Sequence, residues 1–169
     1  IETTGFSTND RIVEIAGIIW DSESDAIVGE FETLVDPSRN IPAEVSQIHG
    51  LRSEHLSAAP TFLELSDWLM HIFDRRPVIT HNANFDLRMV NKEFERIGSD
   101  FRLTQAGCTL MATGKRLALA CEDAGYSLGN AHSALADARG ALAVARSVGV
   151  DYFLDSMTRR VHEAPPYVP

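Results

Sequence analysis

Cysteine is scarce: the 169 residues contain only Cys108 and Cys121. Two thiols are too few for a disulfide framework, and neither stands at a metal-ligand spacing. They are expected to be small, buried and reduced, which favours a cytoplasmic protein. Long hydrophobic runs are missing as well. No apolar stretch is long enough to span a bilayer, so no membrane is expected among the partners, and no secretory signal pattern is visible. Positive charge is in short supply, with 15 Lys+Arg against 24 Asp+Glu and a net charge of −9. That balance argues against a protein that grips long stretches of duplex by neutralising phosphates. It leaves room for a site that holds a few nucleotides, because bound metal ions can take over the neutralisation. Weak intrinsic affinity is then expected, with a partner or attached domain supplying processivity. The chain also lacks an initiator Met and opens on Ile1, so the native start is expected upstream.

What is present suits one folded domain: 44% hydrophobic and 23% charged residues at a length that supports a sizeable core. Ile1 to Gly5 reads as a strand end and a turn. Arg11 to Trp20 is β-branched and apolar, a mostly buried strand. A polar turn at Asp21 to Asp25 leads to a second strand, Ala26 to Val35, so the two form a hairpin. A turn-rich loop precedes a short helix, Ala43 to His49, stopped by Gly50. Thr61 to Phe73 has helical spacing. Pro77 to Thr80 is a short buried strand, Asn84 to Ile97 an amphipathic helix, and Gly107 to Leu110 another short strand. Leu110 to Ala124 is helical in one or two pieces, and Ser133 to Val148 is an alanine-rich helix. Strands followed by alternating helices and strands predict an α/β sheet with helices on its faces. The domain is expected over 1–150, with 151–169 a helical or Pro-rich extension or linker. Val161 to Pro169 is expected to be extended through its prolines.

Three separated clusters carry chemistry: Glu2-Thr3-Thr4-Gly5, His81-Asn82-Ala83-Asn84-Phe85-Asp86, and His132-Ser133-Ala134-Leu135-Ala136-Asp137. Each has an ordinary alternative. An N-terminal glutamate is usually just solvated, and Thr3 and Thr4 serve equally as turn or capping residues. Asp86, in the first turn of its helix, gains from the helix dipole. His132 is equally a surface histidine and Asp137 an ordinary helix carboxylate. Jointly these alternatives are improbable. Carboxylates arriving from distant parts of a chain suit hard divalent cations such as magnesium. Two such cations can hold a phosphodiester and activate water against it. A histidine adds a proton acceptor that titrates near neutral pH. His132 and Asp137 are five positions apart and do not share a helical face. The geometry works with His132 on a loop just before the helix and Asp137 in its second turn.

The three clusters, in this order, resemble the motifs of the DEDDh 3′–5′ exonucleases, the DnaQ-like group typified by the proofreading epsilon subunit of bacterial DNA polymerase III. Arg11 to Ala16 and Ile48-His49-Gly50-Leu51 are also similar to family segments. The resemblance covers Ile1 to about Val148. It implies a ribonuclease H-like fold, a mixed, largely five-stranded central sheet flanked by helices. It implies Glu2, Asp86 and Asp137 as catalytic metal ligands for two Mg²⁺ or Mn²⁺ ions, and His132 as general base. Thr3, Thr4, Gly5 and Phe6 would line the pocket for the last nucleotide, His49 would reach the same nucleotide, and Asn82 and Phe85 would border the site. Ser133 stands where the Tyr-using sister group has tyrosine, which favours the histidine subtype. The family's first Asp would directly precede Ile1.

The expected substrate is a single-stranded or frayed DNA 3′ end, released as nucleoside 5′-monophosphates. RNA 3′ ends are the alternative, since nothing here reads the 2′-hydroxyl. A non-catalytic module that binds nucleic acid or a polymerase is a further alternative if the first Asp is absent. A DNA polymerase subunit or additional domain is an expected partner.

Overall fold

The computed structural model describes residues 1–129 and 133–163. Its centre is a hairpin. The β-branched run forms β2 (Ile12–Asp21), which turns back through Asp21–Asp25 into β3 (Ala26–Leu34). β1 (Glu2–Thr3) pairs antiparallel with the other edge of β2, so that Glu2 lies opposite Glu14. Ile12, Val13 and Ile15 are buried. β2 thus serves two layers, which accounts for its nearly continuous apolar run.

The helices follow their local signals closely. α1 (Ala43–His49) ends at Gly50, whose φ of 76° is the left-handed conformation glycine adopts without a steric penalty. α2 (Ser53–Leu56) was not legible, because four residues carry no periodicity. α3 (Phe62–Phe73) starts from a Thr61–Glu64 capping box. α4 (Ala83–Arg96) follows β4 (Ile79–Thr80) directly. β5 (Gly107–Cys108) pairs parallel with β4 and leads into α5 (Thr109–Thr113) and α6 (Leu117–Asp123). α7 (Ala134–Val148) and α8 (Val150–Glu163) complete the described chain. The strand expected over Pro77–Thr80 is therefore half its expected length, and it is only half-buried. The segment 161–163, expected to be extended, continues α8 because the first proline lies beyond it.

Five strands are present among the described residues, but they hydrogen-bond as a three-stranded antiparallel sheet and a two-stranded parallel one. The expected single five-stranded sheet is not formed. A cavity of about 610 Å³ lies between the two, lined by Ile15, Gly17 and Ile19 of β2, Ile79 of β4, and Ala138 and Ala141 of α7. α7 crosses this gap and packs on both β2 and β4.

The main core joins Ile12 and Ile15 to Phe62 and Leu69 of α3 and to Met89, Val90 and Phe94 of α4. Phe94 meets Phe62 edge-to-face at 5.0 Å, and burying such a ring contributes about 1.5–3 kcal/mol. α4 is also tied to β2 by charge. Glu93, 1% exposed, accepts from Arg11 Nε at 2.7 Å, Arg96 Nη1 at 3.1 Å and the Ile12 N–H at 3.2 Å. Phe153 of α8 is fully buried. It packs where a Cβ on Gly107 would come within 2.9 Å, so β5 requires glycine there. Both cysteines are buried and free.

Candidate active site

Glu2, Asp86 and Asp137 line one end of the cavity between the sheets. Three segments deliver them. β1 presents Glu2 beside β2. The β4–α4 junction presents Asp86 in the first turn of α4. α7 presents Asp137 in its first turn rather than the second, because the helix begins at Ala134. Their proximity is electrostatic as well as spatial. Burial pushes the Glu2 carboxyl up to about 7; Asp137, Glu14 and Asp86 add to the rise, and the Ile1 ammonium opposes it. Burial also raises Asp86, against the pull of that ammonium, 3.7 Å from its Oδ1, and of the Thr80 hydroxyl, which donates to its Oδ2 at 3.0 Å.

The segment after Glu2 is held by its own side chains. Thr3 and Thr4 are buried. The Thr3 hydroxyl donates to the Gly5 carbonyl at 2.7 Å, and the Thr4 hydroxyl donates to Asp10 Oδ1 at 2.9 Å and accepts the Arg11 N–H at 3.0 Å. Gly5 lies so close to Asp10 that a Cβ would sit 2.6 Å from its Oδ2. Thr3 reaches the cavity wall, whereas Thr4 and Gly5 do not line it. Phe6 stands out, 69% exposed, tilted against Phe85 at 6.0 Å. Arg88 sits 5.5 Å over the Phe85 ring and donates to the Phe6 carbonyl at 2.9 Å. These rings and the guanidinium form a ledge beside the carboxylates, a surface suited to stacking a base.

His49 also lines the cavity. Its Nδ1 accepts the Leu51 N–H at 3.1 Å, so Nε2 carries the hydrogen directed at the Thr3 carbonyl, 3.3 Å away. Asn82 precedes α4 with φ 67° and ψ 51°, a left-handed conformation that asparagine tolerates better than most residues. His132 lies outside the described residues.

Thr80 and Glu14 escaped the sequence reading, and His81 was named there in its cluster without a role of its own. Thr80 holds Asp86. His81 meets the Thr109 hydroxyl through Nδ1 at 2.8 Å, and burial keeps its pKa low despite Asp137 and Asp86. Glu14 is 8% exposed, and its Oε2 accepts the Ala134 N–H at 2.8 Å. Burial raises its pKa, opposed by that hydrogen bond. A lone carboxylate inside the apolar run Ile12–Trp20 was the signal that could have found it.

The donor chemistry fits divalent cations: hard carboxylate oxygens that repel one another. Among the described residues, however, no three such side chains are gathered closely enough to hold an ion outright.

An exonuclease family model (RNase_T) matches residues 1–145. The chain belongs to that exonuclease family. Among curated relatives it is 31% identical over 148 residues to the PolC-type DNA polymerase III of Clostridium perfringens, covering 82% of this chain and 10% of that one. It is 36% identical over 93 residues to the DNA polymerase III epsilon subunit of Treponema pallidum, covering 54% of this chain and 42% of that one. The chain thus spans a tenth of one relative and under half of the other. The E. coli epsilon subunit is 28% identical over 158 residues, covering 82% of this exonuclease-family chain and 64% of its own. The fold is similar to solved exonucleases. E. coli exonuclease I with a dT13 oligonucleotide superposes with a TM-score of 0.73 at 18% identity, over 96% of this chain and 41% of that one. Exonuclease X with 5′-overhanging duplex DNA gives 0.67 at 21%, over 87% and 86%. The DEDDh nuclease domain of 3′hExo bound to rAMP gives 0.70 at 14%, over 84% and 82%. The architecture is the ribonuclease H-like one expected.

Proposed function

We propose that this DEDDh-family domain is a metal-dependent 3′–5′ exonuclease acting on single-stranded or frayed DNA ends and releasing nucleoside 5′-monophosphates. The observation that carries the reading is the arrival of Glu2, Asp86 and Asp137 from three distant segments at one end of one cavity. In this reading they hold two Mg²⁺ or Mn²⁺ ions, which supply the positive charge and Lewis acidity that a phosphodiester anion requires. His132, two residues before α7, takes a proton from the attacking water. The new bond joins water oxygen to phosphorus; the bond from phosphorus to the penultimate nucleotide's 3′ oxygen breaks, and the phosphate leaves on the released nucleotide. The terminal base rests on Phe6 and Phe85, with Thr3, His49 and Asn82 around the nucleotide. Thr4 and Gly5 act from behind by shaping the turn.

DNA is favoured because the polymerase III relatives are the more similar in sequence. The same relatives favour a DNA polymerase subunit or domain as partner. The rAMP-bound structural neighbour keeps RNA as the second reading. The test is to incubate the complete polypeptide with 5′-labelled single-stranded DNA and RNA of one sequence, in Mg²⁺, Mn²⁺ or EDTA. A metal-dependent ladder shortening from the 3′ end, faster on DNA, is expected; faster RNA cleavage would reverse the substrate preference. His132→Ala should slow turnover by about 10²–10⁴-fold, the scale of general-base catalysis. Near-normal turnover in that variant would remove His132 as the base.

A further inference from the structure

The N-terminus of α7 has an unusual anchor. A helix leaves its first N–H groups without partners inside the helix, and a residue just before it normally supplies an oxygen. Ser133 stands in that place but caps nothing; its hydroxyl points to Glu32 Oε1 at 3.4 Å. The oxygen comes instead from Glu14, 120 residues earlier on β2, which accepts the Ala134 N–H at 2.8 Å. Glu14 is buried, and its backbone is the register partner of Glu2. One side chain therefore links the strand pair that carries Glu2 to the helix turn that carries Asp137. A carboxylate suits this position, because a helix N-terminus favours negative charge. Two ion pairs between α7 and the hairpin, Arg139–Glu30 and Arg146–Asp25, lie further along the helix and at the surface.

We propose that Glu14 is a positioning residue for the carboxylate site: it holds the first turn of α7 so that Asp137 faces Glu2 across the cavity. The proposal rests on the reading of these carboxylates as a metal-binding exonuclease centre. Glu14 does not line the cavity. It acts through the Ala134 amide and fixes how the two ligands sit relative to one another. Side chains that orient metal ligands typically change metal affinity or activity by about 10–100-fold when lost.

The experiment compares Glu14→Ala, Glu14→Gln and Arg139→Ala in the complete polypeptide. Three quantities are read: hydrogen exchange at the Ala134 amide, Mn²⁺ affinity by calorimetry, and Mg²⁺-dependent cleavage of a single-stranded oligonucleotide. Glu14→Ala should lose protection at Ala134, weaken Mn²⁺ binding and lower kcat, each of the latter two by about 10–100-fold, with KM for the oligonucleotide little changed. Glu14→Gln keeps an oxygen acceptor and should recover most of each loss. Arg139→Ala loosens α7 elsewhere and should leave kcat and Mn²⁺ affinity intact, which separates positioning from general destabilisation. Unchanged Ala134 protection and Mn²⁺ affinity in Glu14→Ala would overturn the proposal, as would an equal loss in Arg139→Ala. If the unsubstituted protein cleaves no nucleic acid while Mn²⁺ affinity still depends on Glu14, the nuclease reading fails and the positioning role stands.

Discussion

α4 and α7 both present a carboxylate from the first turn, yet they are secured differently. At α4 the support of the ligand-bearing turn is local: Thr80 holds Asp86 across six residues and Asn82 makes the left-handed turn between them, while buried Glu93 ties the far end of the helix to Arg11, 82 residues away. At α7 the support comes from across the chain: Glu14, Glu32, Glu30 and Asp25 of the hairpin meet positions 134, 133, 139 and 146. Both carboxylates were marked by short motifs, but only the support of Asp86 lies within its motif; the strand that supports the Asp137 turn lies 120 residues away, and nothing near Asp137 in sequence names it.

The contrast can be broken most severely at the α4 anchor. Glu93→Ala leaves Arg11 and Arg96 without their shared carboxylate and the buried Ile12 N–H without an acceptor. A loss of about 3–5 kcal/mol is expected, the scale of breaking a buried ion pair from one side, measured by urea denaturation. Thr80→Val sharpens the comparison at the ligand itself. Removing the hydroxyl that donates to Asp86 should destabilise the fold by about 1 kcal/mol and lower Mg²⁺-dependent turnover by about 10-fold. Turnover unchanged in Thr80→Val would mean that Asp86 needs no local support.

A pH series tests the electrostatic coupling of the buried carboxylates around α4 and the β1–β2 pair. Glu2, Glu14 and Asp86 have raised pKa values in the folded state. The native state therefore holds more protons than the unfolded one between the ordinary Glu value of 4.5 and the folded Glu2 value of about 7. Stability supplied by the protonated form should fall as pH rises through that window. In EDTA, the melting temperature is expected to drop between pH 5 and pH 8, and Glu2→Gln should flatten the drop. Mg²⁺ should restore stability most at the alkaline end. A melting temperature that rises with pH in EDTA would contradict the clustering of these carboxylates. The smallest effect belongs to the distal ties of α7. Arg139→Ala combined with Arg146→Ala removes two solvent-exposed ion pairs; the midpoint of urea denaturation should barely move, as for surface pairs generally.

Much of the fold was legible because its signals are local. Gly50 ended α1 at the expected residue, Thr61 and Glu64 opened α3, and the Asp21–Asp25 turn set the hairpin. The boundaries of β4 and β5 were not, since each has two paired residues and its partner lies far along the chain. At the site, Glu2, Asp86 and Asp137 were marked by their motifs, and the structure brings them to one cavity. Thr4 and Gly5 were expected at the pocket wall and stand behind it, because Asp10 draws the Thr4 hydroxyl inward.

Composition and periodicity determined an α/β domain, because helix caps, turns and side-chain alternation act over a few residues, and the three ordered motifs carried the resemblance to an exonuclease family and marked its candidate carboxylates. The tertiary structure alone decided that the strands pair as three and two around a cavity. It also decided that Glu14, an apparent anomaly in an apolar strand, supplies the oxygen for α7. A buried carboxylate must find a donor, and only the folded chain shows which one is within reach.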